Sequence, residues 1–598
     1  TVIRAAILIQ KWYRFTMARL EMRRRYSLSI FQSIEYADEQ DQLQTSGVST
    51  FLFSFYLVPV SQIFTSPSAP QVVDEDLCLK EFEKKIDVPD SYYGPRLSFP
   101  LTVEDANALL HAFRNEQLLH ARYVLQLLSE TRRVLKEMPN ITHLSTSYSK
   151  EITVCGDLHG NLDDLLLIFY KNGLPSEQNR YVFNGDFVDR GKNSMEILII
   201  LFAFLLIYPN DLHLNRGNHE DYIMNLRYGF TKEVSKKYKD HWKQILSLLR
   251  DVFSWLPLAT IIDSKVLILH GGISDTTDLD FLNALERNKV RDHIHVWVIL
   301  FSFKNFVIID ILWSDPRSQN GCTPNKCRGG GCYFGPDVTA KLFERYNLKM
   351  LIRSHEFKPE GYEISHDGKV ITIFSASNYY EEGSNRGAYI KLNPELTPRF
   401  VQYQVSKFTR RQNLRERVGT IESSALKSLR EKIYAHRSEL ISAFAQYDVN
   451  GTGRISVNDW AAAMESVLQL ELPWRMLRSQ LAQMNSDGEV DFMSCFYDLK
   501  MGQPTKEAQP ALAETLCRYR KDLEIIFNII DKDHSGLISV EEFSQTWRLF
   551  TSHLGIDTQD DSIDKLVLSI DYNKDGHIDF NEFLEAFHVV HRLEKKAT

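Results

Sequence analysis

Three glycine-containing motifs constrain the fold most, because each follows a short apolar run and carries polar side chains at a tight turn. They cover residues 155–160, 184–191 and 215–220. An apolar run that ends at glycine predicts a strand followed by a turn, and open α/β sheets place ligands at the carboxyl ends of their strands. The motifs supply carboxylates, an amide and imidazoles, a donor set that suits Mn, Fe or Zn. The sequence therefore predicts an α/β fold with a metal site at a sheet edge.

Further strand-and-turn units continue this pattern downstream. Apolar runs directly precede the turns that carry His270, His355 and Tyr379. A single histidine in such a place is more often structural than catalytic. Several polar loops with complementary ligand types, all at predicted strand ends, favour a functional centre. Apolar residues at helical spacing between residues 109 and 135 predict two packed helices ahead of the first motif.

This ordered set of motifs resembles the PPP family of serine/threonine protein phosphatases over residues 96–405. The resemblance implies an α/β metallophosphoesterase fold of the calcineurin-like type, in which helices flank a β-sandwich. It also implies two divalent or trivalent metal ions (Mn, Fe or Zn), with Asp186 bridging them. The first metal would be held by Asp157, His159 and Asp186, and the second by Asp186, Asn218, His270 and His355.

The same resemblance implies catalytic roles for other residues. We expect His219 to donate a proton to the departing serine or threonine oxygen, with its tautomer fixed by Asp189. Guanidinium groups fit phosphate oxygens as a planar fork, so three arginines would bind the phosphate. These are Arg190, Arg216 and Arg328, and Tyr379 would line the cleft beside them. No covalent phosphoenzyme is expected, because the metal ions would activate a water nucleophile.

An apolar segment at residues 294–312 departs from the family pattern, which usually has polar residues and proline there. The segment fits either a buried strand or a buried helix. A further interpretation is an alternative splice product that disturbs packing near the active face.

Two calcium-binding loops of the EF-hand type lie at residues 531–542 and 571–582. Oxygen ligands recur at the loop positions that bind calcium, with glycine at the sharp bend. The predicted ligands are Asp531, Asp533, Ser535, Leu537, Ser539 and Glu542 in the first loop, and Asp571, Asn573, Asp575, His577, Asp579 and Glu582 in the second. Two weaker copies near Asp448 and Asn485 lack the final glutamate, so we expect them to be mainly structural. The repeats predict an all-α EF-hand domain that binds two Ca²⁺ ions.

The first 25 residues form a basic segment, with seven Lys or Arg against one Glu and apolar residues at roughly helical spacing. A basic amphipathic helix suits an anionic membrane surface or an acidic EF-hand protein. Part of this segment resembles the IQ motif that binds calmodulin-type proteins. The matching residues are Ile9, Gln10, Arg14 and Arg19, whereas Phe15 stands where the motif often has glycine. The alternative is a solvated basic helix with no dedicated partner.

The order of these parts resembles the EF-hand phosphatases of the retinal-degeneration-C type. The implied domains are a basic IQ-motif helix at 1–40, an irregular linker at 41–95, the catalytic domain at 96–405, a linker and helix at 406–432, and a calmodulin-like EF-hand domain at 433–598. The resemblance implies a phosphatase that acts on phosphoserine and phosphothreonine in proteins, controlled by its own EF-hands and by calmodulin. The direction of calcium control stays open. A weakly catalytic, calcium-dependent scaffold and an esterase for nucleotides or other small phosphates are the alternatives.

Composition limits the class of partner and the compartment. A net charge of -8 over 598 residues does not favour nucleic-acid binding. Seven cysteines, an odd number without a regular framework, favour a reducing compartment. No secretory signal is visible, and the apolar stretch at residues 48–64 is too short and too interrupted for a transmembrane span. We therefore expect a cytoplasmic protein, with peripheral membrane attachment left open.

Overall fold

The computed structural model describes residues 11, 14–38, 86–149, 151–289, 303–405, 414–485, 488–496, 527, 537–543 and 576–579. The chain divides into two compact units. One unit is Glu39–Thr409, which contains the predicted catalytic region. The other combines Thr1–Asp38 with Arg410–Thr598, so it joins the N-terminal helix and the EF-hand region in one body.

Two sheets form the centre of the larger unit. Their strands are β1 (Ile141–Leu144), β2 (Ile152–Cys155), β3 (Arg180–Phe183), β4 (Leu212–Leu214), β5 (Ala259–Ile262), β6 (Val266–Leu269), β10 (Met350–Arg353), β11 (Tyr362–Ser365), β12 (Val370–Ile373), β13 (Gly387–Leu392) and β14 (Pro398–Tyr403). The six-stranded sheet has the order β1-β5-β6-β10-β12-β11, and the five-stranded sheet has the order β14-β13-β2-β3-β4. A small third sheet contains β7 (Asp315–Pro316), β8 (Cys322–Pro324) and β9 (Cys332–Phe334).

The two large sheets pack face to face because both carry β-branched and other apolar residues on their inner faces. Val154 and Val182 of the five-stranded sheet share one buried cluster with Ile268, Ile352 and Ile371 of the six-stranded sheet. All five side chains are almost fully removed from solvent. This arrangement is the β-sandwich predicted from the sequence, and it brings the strand ends of both sheets towards one edge.

Helices cover the outer faces of this unit. They are α2 (Val103–Arg114), α3 (Ala121–Glu137), α4 (Leu162–Asn172), α5 (Ser194–Ile207), α6 (Tyr222–Tyr228), α7 (Phe230–Lys237), α8 (Trp242–Ser254), α9 (Leu279–Ala284), α10 (Phe303–Trp313) and α11 (Pro336–Tyr346). Helices α2 and α3 are the pair predicted ahead of the first motif, and α2 begins with a capping box between Thr102 and Asp105. Helix α5 is apolar on all sides and contacts α2, α3 and α4.

The apolar segment at residues 294–312 ends in a helix, since α10 covers Phe303–Trp313. Ile308, Ile311 and Leu312 of this helix are almost fully buried in the cluster around the six-stranded sheet. Residues 294–302 lie outside the described part of the chain. Within the described residues, no helix is both long and apolar enough to cross a lipid bilayer.

The second unit is mainly helical. Its helices are α1 (residues 14–38), α12 (Leu414–Ala435), α13 (Arg437–Tyr447), α14 (Val457–Leu468) and α15 (Trp474–Leu481), and its strands are β15 (Arg454–Ile455), β16 (Gln483–Met484), β17 (Val490–Asp491), β18 (Leu537–Ser539) and β19 (His577–Asp579). The short pairs β15-β17 and β18-β19 join loops of successive hands, as expected for paired EF-hands. The predicted domain boundary at residue 433 falls inside α12.

Candidate metal centre and active site

Strand ends from both sheets meet at the candidate site. Strands β2, β3 and β4 are adjacent and parallel, and the turns after them carry Asp157, Asp186 and Asn218 respectively. In the other sheet β6 and β10 are adjacent and parallel, and His270 and His355 follow them. Parallel neighbours end at the same sheet edge, so the fold delivers these side chains to one place.

The six predicted metal ligands converge in a buried cluster. His270 Nε2 lies 3.3 Å from Asp186 Oδ2 and 2.8 Å from Asn218 Oδ1. His355 Nδ1 lies 3.0 Å from the same Asn218 oxygen. On the other side of Asp186, His159 Nε2 is 3.6 Å from Asp186 Oδ2 and 3.8 Å from Asp157 Oδ2. Asp186 therefore stands between two groups of donors.

Two overlapping groups could each hold a metal ion. His159, Asp186 and His219 form one group, and Asp186, His270 and His355 form the other. The ligand atoms of each group lie within 4.8 Å of one another. Asp186 belongs to both groups, so its carboxylate is the one that could contact both ions.

Backbone carbonyls orient two of the imidazole rings. The Nδ1 atom of His159 lies 3.0 Å from the Val188 carbonyl oxygen, and Nδ1 of His270 lies 2.8 Å from the Asn184 carbonyl oxygen. A carbonyl accepts only, so Nδ1 carries the proton and Nε2 is left with its lone pair towards the cluster. Metal-binding histidines are commonly held in this way.

The electrostatics of the cluster fit a cation. Burial, with the neighbouring carboxylate of Asp186, raises the pKa of Asp157 to about 7. Neighbouring buried carboxylates repel each other unless positive charge lies between them. Among the described residues, His355 Nε2 and Asn218 Nδ2 have no hydrogen-bond partner although both are buried. The mixed oxygen and imidazole donors suit first-row transition metals.

The turns at the site adopt backbone conformations that few residues tolerate. His159, Asp186, Asp189, Arg190 and His355 all have positive φ angles, between 43° and 70°. Such strain in non-glycine residues concentrates at functional sites.

Two glycines allow the turns to approach each other. A Cβ at position 185 would lie 2.5 Å from the Gly217 backbone, and one at position 217 would lie 2.3 Å from Asp186 Oδ1.

His219 and Asp189 form a buried pair beside the metal ligands. His219 Nδ1 lies 2.8 Å from Asp189 Oδ2. The same carboxylate accepts hydrogen bonds from Asn225 Nδ2 and from the Phe230 N–H, each at 3.0 Å. These bonds fix the carboxylate, which in turn fixes the imidazole ring. Burial lowers the pKa of His219 well below its ordinary value, so the protonated ring would give up its proton readily.

The three predicted phosphate-binding arginines differ in their surroundings. Arg190 is exposed, and its guanidinium lies over the rings of Tyr228 and Tyr379 at 4.5 and 5.4 Å. Arg328 is buried, and its Nε donates to Asp315 Oδ2 at 2.7 Å while Nη2 lies 3.3 Å from the His355 carbonyl oxygen.

Arg216 is as buried as Arg328. It is 2% exposed, and its Nε donates to the Glu220 carbonyl oxygen at 3.3 Å. Burial lowers the pKa of Arg216, and Nη1 has no hydrogen-bond partner among the described residues. A buried guanidinium N–H without an acceptor could donate a hydrogen bond to an anion.

Tyr379 lies beside the cluster, on the loop that follows β12. Its ring centroid is 5.3 Å from that of His159. Asp164, on α4, holds this loop by accepting hydrogen bonds from the backbone N–H and the hydroxyl of Ser377, both at 2.7 Å. Asp164 was not predicted as a site residue. Its one visible signal is a carboxylate among the apolar residues of a helix that follows the first motif.

Glu220 is a second residue that the sequence analysis left without a role. Its carboxylate accepts hydrogen bonds from the backbone N–H groups of Asp186, Phe187 and Gly217, each at 2.8 Å. Glu220 thereby ties the turn after β3 to the turn after β4. It sits inside the third motif, and that position is the only sequence signal it has.

The calcium and IQ predictions are only partly covered by the described residues. Leu537, Ser539, Glu542, His577 and Asp579 are described, whereas Asp531, Asp533, Ser535, Asp571, Asn573, Asp575 and Glu582 lie outside. The two loops pair through Ile538 and Ile578, both fully buried, and Glu542 accepts a 3.0 Å hydrogen bond from the Ser539 N–H. Arg14 and Arg19 are exposed on α1, and Ile9 and Gln10 lie outside the described residues.

Two packed sheets with this ligand set at their strand ends define a calcineurin-like metallophosphoesterase. Family models agree: one described as calcineurin-like phosphoesterase matches residues 150–359, and an EF-hand domain pair matches residues 520–588. A model of the PPP5 TPR repeat region matches residues 70–143.

Similar proteins of known name indicate which kind of metallophosphoesterase this chain is. Serine/threonine-protein phosphatase with EF-hands 1 of Homo sapiens is 56% identical and aligns over 99% of this chain and 96% of its own length. Serine/threonine-protein phosphatase with EF-hands 2 of Homo sapiens is 49% identical, and the alignment covers 98% of this chain and 94% of that protein. Serine/threonine-protein phosphatase rdgC of Drosophila melanogaster is 43% identical, and the alignment covers 99% of this chain and 91% of that protein. The chain belongs to the family of serine/threonine-protein phosphatases with EF-hands, and the predicted fold and enzyme class are confirmed.

Proposed function

We propose that this chain hydrolyses phosphoserine and phosphothreonine in proteins at the site around Asp186, under calcium control. The observation that carries the proposal is the convergence of six buried metal-ligand side chains beside the His219–Asp189 pair. In this proposal Asp157, His159 and Asp186 hold one metal ion, and Asp186, Asn218, His270 and His355 hold the other. When bound there, two metal ions would act as Lewis acids towards the phosphate ester and would increase the acidity of a water molecule.

The chain's own residues bind the substrate and move the proton. Arg190 is exposed at the rim, where its planar fork can bind two phosphate oxygens of an arriving phosphoprotein. His219 keeps its Nδ1 proton on Asp189, so Nε2 is the atom that faces the departing oxygen. A protonated Nε2 transfers its proton to the serine or threonine oxygen as the P–O bond breaks, which avoids an alkoxide leaving group.

Tyr379 and Arg328 complete the proposed cleft. The Tyr379 ring lies between Arg190 and His159, so it shapes the side of the cleft next to the phosphate. Arg328 is held by Asp315, which also binds Arg353 Nη2 at 2.9 Å. A guanidinium fixed by a buried carboxylate loses little conformational freedom on binding phosphate.

We further propose two routes of calcium control. The hands at 531–542 and 571–582 would bind Ca²⁺ through Glu542 and Glu582 among others, and so bias the conformation of the chain in cis. The IQ-like segment that includes Arg14 and Arg19 would bind calmodulin in trans. The exposure of both arginines supports this route.

A phosphopeptide assay with added manganese tests the proposal, with calcium and EGTA in parallel. We expect turnover by the full chain and its loss in His219→Asn, with no loss in the matched control His111→Asn, an exposed histidine on α2. No turnover under any metal or calcium condition would leave the scaffold alternative. Faster hydrolysis of a mononucleotide than of phosphopeptides would favour the small-phosphate alternative.

The same assay separates calcium control from catalysis. We expect the rate to change between calcium and EGTA, and the change to disappear in Glu542→Gln combined with Glu582→Gln. A rate that is equal in both conditions for the unaltered chain would remove the proposed control in cis and leave the catalytic proposal standing.

A further inference from the structure

Helix α1 has two halves with different surroundings. Near its start, Phe15 is 62% and Met22 46% exposed. Further along, Ser27, Leu28 and Ile30 are at most 2% exposed. The change occurs within one continuous helix, so one half is exposed while the other half is buried.

The covered half packs on the first lobe, which we define as residues 414–496. Ile30 belongs to the buried cluster of this lobe, together with Leu429, Phe444 and Trp460. Three more residues of the helix, Phe31, Ile34 and Ala37, pack against the same cluster. Contacts repeated every three to four residues are the mode in which an EF-hand lobe receives an amphipathic target helix.

Polar contacts fix the direction of the helix on the lobe. Near its middle, Arg23 Nε donates to Glu422 Oε1 at 3.3 Å. At its end, Asp38 Oδ1 lies 3.4 Å from Lys432 Nζ. Both partners are on α12, and their order along α12 follows the order along α1, so the two helices run in the same direction.

Contacts beyond α12 widen the interface. The Tyr26 hydroxyl lies 3.3 Å from the sulfur of Met476 on α15. Glu422, the partner of Arg23, also accepts a hydrogen bond from Gln480 Nε2 at 2.9 Å. The helix thus touches two separate helices of the lobe.

The hands of the first lobe close their loops with their own hydrogen bonds. Asp448 accepts from the Thr452 N–H at 2.8 Å and from the Gly453 N–H at 2.7 Å. In the next loop Asn485 Oδ1 accepts from the Glu489 N–H at 2.8 Å. The last position of each of these two loops lacks the glutamate that supplies the bidentate calcium ligand of an EF-hand. We therefore expect this lobe to keep its shape without calcium.

We propose that the first lobe is a calcium-independent receptor for residues 23–38 of the same chain. The two weak hands then have a role, which is to hold α1 and present its exposed first half to a partner in trans. The contacts lie within the second unit alone, so the proposal stands whether or not the catalytic unit hydrolyses phosphate.

Hydrogen–deuterium exchange of the full chain, in calcium and in EGTA, tests this proposal. A lone helix of this length frays in water, so slow exchange at residues 27–38 reports docking. We expect equal protection, within about twofold, in both conditions. Faster exchange of these amides in EGTA would overturn the proposal, because docking would then depend on calcium.

Variants of the buried contact provide the second arm. Ile30→Asp should speed exchange at residues 27–38 by about tenfold or more, because it places a carboxylate in the apolar cluster. Phe15→Asp, on the exposed half of the helix, is the matched control and should leave that exchange unchanged. Unchanged exchange in Ile30→Asp would also overturn the proposal.

A charge exchange keeps the test decisive if Ile30→Asp unfolds the lobe. Arg23→Glu and Glu422→Arg should each speed exchange at residues 27–38, and the double variant should restore protection to within about twofold of the unaltered chain. Arg25→Glu is the control, since Arg25 is 75% exposed and pairs with Glu21 of its own helix. A double variant no better protected than the single ones would contradict the docked arrangement.

Discussion

Replacing Asp164 by asparagine tests how a buried carboxylate supports the loop that carries Tyr379. Asp164 is 1% exposed, and its two oxygens accept hydrogen bonds from Ser377. Burial raises the pKa of Asp164 from its ordinary value of 3.8 to about 7. Asparagine has nearly the same shape but cannot ionise, so the substitution isolates the effect of the proton.

The sign and size of the effect follow from proton binding. Between pH 3.8 and about 7 the folded chain keeps the Asp164 proton, whereas the unfolded chain has lost it. The contribution of Asp164 to the free energy of unfolding therefore falls as the pH rises through this window, by about 1.4 kcal/mol per pH unit for one proton. In Asp164→Asn, residue 164 adds no pH dependence to the free energy of unfolding. From about pH 5 to about pH 6 its stability relative to the unaltered chain should rise by about 1.4 kcal/mol.

Urea unfolding followed by tryptophan fluorescence measures this difference. Curves at about pH 5, 5.5 and 6 give the free energy of unfolding of each variant at each pH. Asp163→Asn is the matched control, because Asp163 is the exposed neighbour on the same turn of α4. Parallel pH dependences for Asp164→Asn and the unaltered chain would refute the reasoning, since they would mean that Asp164 is ionised across the whole range.

Three further substitutions test the site and the second unit. Gly217→Ala should lower kcat for a phosphopeptide by about a hundredfold or more, because its Cβ would lie 2.3 Å from Asp186 Oδ1; near-normal turnover would contradict this packing. Asp189→Asn should lower kcat by about a hundredfold with a smaller effect on KM, since the His219 ring loses its fixed tautomer; an unchanged kcat would show that the pair is not used. Gly419→Ala should raise the unfolding free energy by about 0.5–1 kcal/mol, because this glycine lies within α12 and a Cβ there meets no atom within 4 Å; a lower thermal midpoint would contradict it.

The convergence of the candidate metal ligands could be predicted because they belong to short motifs at strand ends. Asp157, Asp186 and Asn218 each follow an apolar run and a turn, and parallel strands then bring such turns together. The EF-hand loops were predictable for a similar reason, since their ligands occupy fixed positions in a short segment. In both cases the candidate ligands lie within short segments of the sequence, and the fold brings those segments together.

The supporting residues could not be predicted because their partners are distant or are backbone groups. Asp164 binds Ser377, which lies 213 residues away. Glu220 binds three backbone N–H groups, and backbone groups leave no pattern in residue identity. The docking of α1 was missed for the same reason, because Ile30 meets a lobe that begins almost four hundred residues later. Pairings of this kind become visible only in three dimensions.

The hydrogen bond from the His355 N–H to Asp157 Oδ1 joins residues 198 positions apart. One end lies just after β2 and the other just after β10, on different sheets. A ribosome-bound chain in which β10 has not yet been synthesised therefore lacks His355, one of the six candidate metal ligands. We therefore expect turnover only after β10 has joined the six-stranded sheet.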